Sequence, residues 1–267
     1  MWVVSNRTSA LTEVQSSSRD GSGLIGRVVK NGFTNAVDFV FPPLCIVCEN
    51  DIALASRWLC QRCIAELYRN NSARCACKQC GQNPSIRPCN CLNSPFSHPY
   101  ESITSLFDFT DQVKILVHQI KYNGRSSIAH ELGRLAPTLL PTDYFNGVDA
   151  LIPVPLHFLR RWSRGYNQST ALSYGILESI KCPPVLLEEV LIRSRYTKTQ
   201  TAINRQGRLK NVANAFALRA GKESMIKDKS IVLVDDVVTT GATSQACALA
   251  LQRGGCSRIR ILSLARD

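Results

Sequence analysis

The chain has 267 residues, 45% hydrophobic and 19% charged, which excludes a disordered polymer and allows one large core or a medium domain with a small module. Lysine and arginine outnumber the acids 32 to 20, and the net charge of +12 favours polyanionic partners such as nucleic acid, phosphorylated metabolites or an anionic membrane surface. No run of about 18 apolar residues occurs, so no transmembrane helix is expected.

Residues 1–32 are rich in serine and threonine and read as a flexible extension. Met1–Gly23 lacks a continuous apolar core and a clear small-residue cleavage site. No secretory signal is therefore expected, and the cytoplasm is the expected compartment. Phe33, Val37 and Val40 then recur at helical spacing up to Pro42-Pro43. Nine of the 12 cysteines fall between Cys45 and Cys91, inside a module expected over residues 33–95. Without an export signal, that density points to metal-bound thiolates rather than disulfides.

The cysteines come as Cys45-x-x-Cys48, Cys60-x-x-Cys63, Cys77-x-x-Cys80 and Cys89-x-Cys91. Two residues between thiolates let both sulfurs face one ion from a tight turn, and two such turns complete a tetrahedral zinc site. The simplest assignment places Cys45, Cys48, Cys60 and Cys63 on one zinc and Cys77, Cys80, Cys89 and Cys91 on a second. An interleaved use of alternate pairs also fits, and Cys75 competes for a place. A redox C-x-x-C pair usually opens a helix in a thioredoxin-like βαβ unit, a context not visible here. The module has few large apolar side chains, so metal is expected to supply its folding energy, with one or two structural zinc ions.

From residue 96 to 267 the pattern is that of an α/β domain. A strand is expected over Ile103–Phe109, then a helix carrying Val113, Leu116, Val117 and Ile120 at spacings of three and four. Val148–Val154 reads as a buried strand, and Ser169–Ile180 as a helix ended by Pro183-Pro184. Ile231–Val234 is fully apolar, as a central parallel strand requires. A helix over Thr243–Arg253 closes at Gly254-Gly255, and Ile259–Leu264 is the last strand. Alternating strands and helices predict a doubly wound parallel sheet with helices on both faces.

The central strand runs into Asp235-Asp236-Val237-Val238-Thr239-Thr240-Gly241-Ala242-Thr243. Backbone N–H groups at a helix start, aided by the helix dipole, make an anion site. Gly241 lets backbone approach a phosphate, and Thr239, Thr240 and Thr243 offer hydroxyl donors. Asp235 and Asp236 can accept hydrogen bonds from two adjacent sugar hydroxyls. Together these describe a ribose 5-phosphate site. Neither a Walker A loop nor a G-x-G-x-x-G fingerprint is present.

A second segment, from Pro153-Val154-Pro155 through Arg160, Arg161 and Trp162 to Arg164-Gly165-Tyr166-Asn167-Gln168, leads a buried strand into an arginine-rich loop. Guanidinium forks match diphosphate oxygens, and Mg²⁺ would bridge the diphosphate and the ribose hydroxyls. A third, Arg193 through Lys198 and Gln200 to Arg205, Arg208 and Asn211, has the composition of a lid over such a ligand. His98, His118, His130 and His157 stand alone and read as surface or core residues. Cys182, Cys247 and Cys256 read as small buried side chains.

The Asp235–Thr243 segment resembles the motif by which type I phosphoribosyltransferases bind 5-phosphoribosyl 1-diphosphate (PRPP). That resemblance implies ribose hydroxyls on Asp235 and Asp236, and the 5-phosphate on Thr239 to Thr243. The order of parts is similar to that of the ComF family of competence-associated proteins over about residues 36 to 266. Cysteine ribbons come first, then Lys121-Tyr122-Asn123-Gly124, the Pro153–Gln168 segment, Gln200 with Arg205, and the acid-pair loop. The chain departs from the family in closing its second ribbon on Cys89-x-Cys91, where another C-x-x-C is usual. The resemblance implies a part in natural transformation, with single-stranded DNA and DNA-uptake proteins as partners. Two functions follow. One is pentosyl transfer with loss of pyrophosphate, in which Asp235, Asp236 and Arg164 act and Pro155, Gly165, Asn167, Lys198, Gln200 and Arg205 help bind. The other is a non-catalytic DNA-handling module that uses the pocket as a nucleotide or phosphate sensor.

Overall fold

The computed structural model describes residues 43–52, 56–73, 76–86, 88–89, 91, 98–156, 164–193 and 215–267. The extension, the Phe33–Val40 piece, Cys75, His157, Arg160, Arg161, Trp162, Lys198, Gln200, Arg205, Arg208 and Asn211 lie outside these residues. Leu44–Asp267 forms one compact unit.

Among the described residues the principal sheet has five parallel strands: β1 (Ser102–Asp108), β2 (Ala150–Pro153), β3 (Val185–Leu186), β6 (Ser230–Val238) and β7 (Arg258–Arg266). Their spatial order is β1-β7-β6-β2-β3. Strand alternation divides the apolar residues between two cores. Val232, Val234, Leu262 and Leu264 face one, with α1 (Gln61–Arg69), α2 (Asp111–Tyr122), α3 (Ser126–Leu139) and α4 (Gln168–Glu178). Ile231, Leu233, Ile259 and Ile261 face the other. That core holds α5 (Ala242–Arg253) and the antiparallel pair β4 (Leu191–Arg193) and β5 (Phe216–Leu218). Helices thus cover both faces, and β6 is apolar without alternation because neither of its faces meets water.

The expected elements are present with shifted ends. The largest shift is in β6, which continues past Val234 to Val238 because β7 pairs with it as far as Arg266. The acid pair therefore lies on the strand and not in the turn. The helix α3 had no counterpart in the sequence pattern, since Gly133 and Pro137 interrupt it. Cys182 departs from expectation: it is exposed, because it stands in the connection between α4 and β3.

Gly133 has a reason to be glycine. A Cβ there would fall 2.3 Å from Leu172 O, and one on Gly175 would fall 1.9 Å from His130 O, so α3 and α4 cross backbone to backbone. Gly175→Ala is expected to destabilise the protein by roughly 3 kcal/mol, because the methyl meets rigid backbone. A urea midpoint unchanged by circular dichroism would contradict this crossing.

The cysteine region is joined to the sheet. Asn71 bridges Phe107 on the outer edge of β1, and Ser72 Oγ donates to Ser105 O at 2.9 Å. Gln112 Nε2 donates to Cys63 O at 2.9 Å, and Ser56 Oγ donates to Glu131. Further on, Ile103 N donates to Lys78 O at 2.7 Å. An edge strand that would otherwise expose unpaired backbone groups is thereby covered.

Candidate functional site

Chain connectivity locates a crevice. From β2 the chain moves through α4 to β3 on one side, and from β6 it moves through α5 to β7 on the other. β2 and β6 are neighbours, so the order reverses between them, and the carboxyl ends of such strands bound the usual ligand crevice. Val154 N donates to Val234 O at 2.8 Å, which starts the loop after β2 alongside the acid pair.

Alternation along β6 sends the two acids to opposite faces. Asp235 points toward α5 and is buried at 6% exposure; its Oδ2 accepts from Ser244 Oγ at 3.2 Å and its Oδ1 from Asp236 N at 2.8 Å. Asp236 points toward α2; its Oδ1 accepts from Val237 N at 2.6 Å, and Lys121 Nζ lies 3.1 Å from its Oδ2. Burial first, and the Asp236 charge second, push the Asp235 carboxyl up to about 7.

The turn after β6 opens α5. Gly241 stands at the N-cap with φ +76°, a conformation that favours glycine. Ala242 N reaches Thr240 Oγ1 at 3.4 Å, and Thr239 is exposed. Behind the turn, Arg266 Nη1 donates to Val238 O at 2.9 Å and also to Thr239 O, fixing the main chain from below.

The loop after β2 returns at Arg164. The Arg164 guanidinium lies 5.5 Å from the Tyr122 ring centre, and Tyr166 OH donates to Ile120 O. Asn167 caps α4 by accepting from Ser169 N at 3.1 Å, while its Nδ2 donates to Val154 O at 3.0 Å. Pro155, Arg164, Gly165 and Asn167 are thus gathered at the same sheet end as the acid pair. β4 and β5 are antiparallel, with Arg193 opposite Phe216. Lys121, Ser244 and Arg266 carry much of this geometry, and no sequence motif assigns them a role in it. The one available signal was the Lys121–Gly124 run at the end of a predicted helix.

The cysteines assemble by sequential pairs. Cys45, Cys48, Cys60 and Cys63 place their sulfurs within 4.8 Å of one another, and so do Cys77, Cys80, Cys89 and Cys91. A tetrahedral ion with bonds of about 2.3 Å sets sulfurs about 3.8 Å apart, so both groups fit one ion each. Burial, then contact with Cys48, Cys60 and Cys45, pushes the Cys63 thiol up. Each cluster can therefore hold one metal ion. Cys60 is the N-cap of α1, so this knuckle does open a helix; the other two thiols distinguish it from a redox pair.

Similarity to known proteins agrees with this architecture. A phosphoribosyl transferase domain family matches residues 135–267. The DNA utilization protein YhgH of Salmonella typhimurium is 34% identical over 233 residues, spanning 84% of this chain and 97% of that protein. Competence protein F of Haemophilus influenzae is 28% identical over 227 residues, spanning 83% of this chain and 96% of that protein. Competence protein ComFC of Bacillus subtilis is 21% identical over 242 residues, spanning 84% and 95%. With two cysteine clusters welded to a phosphoribosyltransferase-type sheet and that identity over nearly the whole of a relative, the chain belongs to the ComF family.

Proposed function

We propose that this chain binds PRPP or a related ribose phosphate and acts in the uptake and use of incoming DNA. The observation that carries the reading is the split acid pair at the sheet's reversal point, next to a glycine-opened helix start. In this reading Asp236 and Asp235 accept from the ribose hydroxyls, and the amides of Gly241 to Thr243 hold the 5-phosphate. Arg164, with Lys198 and Arg205, stabilises the departing pyrophosphate as a nucleophile displaces it at ribose C1. Mg²⁺ bound with the ligand would offset the charge of the diphosphate, and Asp236 would be the residue beside it. The partly exposed Asp236 carboxylate gives that ion a hard oxygen neighbour, which fits. Both cysteine clusters are read as structural zinc sites with all four positions filled by thiolate.

The DNA role draws on the names of the relatives, on the +12 charge and on Tyr122, an exposed residue whose ring lies between His118 and Arg164. Exposed aromatics beside cations stack on bases. Among the described residues no helix is long and apolar enough to cross a membrane.

Calorimetric titration of the full chain with PRPP and Mg²⁺ tests the reading, followed by a pyrophosphate-release screen over bases, amines and single-stranded DNA. Saturable PRPP binding is expected, with release only when the right acceptor is added. A chain that binds neither PRPP nor ribose 5-phosphate has no such site. Binding without release on any acceptor favours the sensor role.

A further inference from the structure

Lys121 opens the Lys121–Gly124 run, to which no role was assigned above, and it reaches the acid pair at the carboxyl end of β6. It stands in the last turn of α2, where the helix dipole favours a cation. Its Nζ lies 3.1 Å from Asp236 Oδ2, with the side chains 23% and 20% exposed. Three of the four carboxylate oxygens in the acid pair take donors from the protein framework or from Ser244. Asp236 Oδ2 is the exception, since its partner stands on a flexible four-carbon stem. About a fifth of each side chain remains open to solvent, so an incoming ligand can reach the pair and exchange with it. An ammonium has three donors, and among the described residues Asp236 alone pairs with Lys121.

The end of α2 also touches the other half of the crevice. Tyr122 lies under Arg164, and Ile120 O accepts from Tyr166 OH. Both partners flank the loop read as the diphosphate side. Lys121 therefore sits between the oxygen that a ribose hydroxyl would take and the groups that would meet the diphosphate.

We propose that Lys121 is a ligand-binding residue with two stations: it neutralises Asp236 while the crevice is empty, and it moves onto the diphosphate when a ribose hydroxyl replaces it. The proposal rests on the ribose-phosphate reading. It explains how two adjacent acids remain next to an anion site without repelling the incoming ligand. The resident cation masks the acids on approach and then serves the ligand's own charge.

The test uses the full chain as wild type, Lys121→Met and Lys121→Arg. Each is titrated calorimetrically with PRPP, ribose 5-phosphate and inorganic pyrophosphate at fixed Mg²⁺. Lys121→Met is expected to weaken PRPP by roughly ten- to a hundredfold, because a charge-assisted contact is lost, and to weaken pyrophosphate less, since it brings no hydroxyl to release Lys121 from Asp236. Ribose 5-phosphate, which has no diphosphate, should change by less than about threefold, the range of a solvated ion pair. Lys121→Arg should recover most of the loss, and its melting temperature checks that the fold is intact. Equal losses for all three probes would reduce Lys121 to a support for Asp236 and overturn the second station. Unchanged PRPP binding in Lys121→Met would overturn the assignment altogether. A wild type that binds pyrophosphate but neither ribose ligand would instead bring down the reading on which it rests.

Discussion

Asp235→Asn should make the protein more stable above pH 7 and, in the same substitution, remove its affinity for PRPP. Asp235 is buried, and burial together with the Asp236 charge raises its folded-state value from 3.8 to about 7. A group raised on folding holds its proton more tightly in the native state. Its contribution is complete below the unfolded value and is lost as pH rises through the folded one. Between about pH 4 and pH 7 the wild type should therefore lose stability to this residue, at about 1.4 kcal/mol for each pH unit that separates the folded and unfolded values. Because the two acids titrate together, we expect roughly 2–4 kcal/mol over the whole window. Asparagine keeps the acceptor for Asp236 N, and the Ser244 hydroxyl can turn to accept from the new amide. Scanning calorimetry from pH 4 to pH 8 should show a falling melting temperature in the wild type and a flatter profile in the variant. PRPP affinity should drop by roughly a hundredfold or more, since a site built for sugar hydroxyls then lacks its acceptor. A variant no more stable than wild type at pH 8 would mean that the native fold carries this charge at no cost.

Cys63→Ser should remove one zinc equivalent and unfold more than the cysteine region. Cys45, Cys60 and Cys63 are buried in the same apolar cluster as Leu67, Phe107, Leu116 and Leu132. The backbone carbonyl of Cys63 also receives Gln112 of α2. Losing the ion leaves three thiolates in contact at the edge of the main core, so the penalty spreads into β1, α2 and α3. Structural zinc supplies about 10 kcal/mol or more in small modules, and here several kcal/mol should pass to the whole unit. Metal analysis and urea unfolding followed by circular dichroism check both parts. The sulfurs of Cys77, Cys80, Cys89 and Cys91 are only partly buried, so Cys91→Ser should cost less. An α/β domain that melts unchanged in Cys63→Ser would show that the first cluster is merely tethered to it.

The parts of this protein that could be read directly are those whose physics is local. The Ile231–Thr243 run is legible because a strand, two acids and a glycine-opened helix follow one another without interruption, and each requires its own residue types. Each C-x-x-C pair is legible because two thiolates on one turn meet one ion whatever surrounds them. Spacing left open which pairs share an ion; that depended on how the chain brings Cys60 at the start of α1 back to Cys45. It also left open the α3–α4 crossing, because Gly133 and Gly175 weaken a helical pattern and gain their purpose only against each other. Strand alternation sends Asp235 and Asp236 to opposite faces, as soon as the strand is known to continue to Val238. What meets each acid is a different matter: Ser244 on one side and Lys121 on the other. Local sequence determined the donor and acceptor types. Tertiary packing decided their partners, because an ion pair between remote elements depends on where two helices cross one sheet, and no short-range pattern records that.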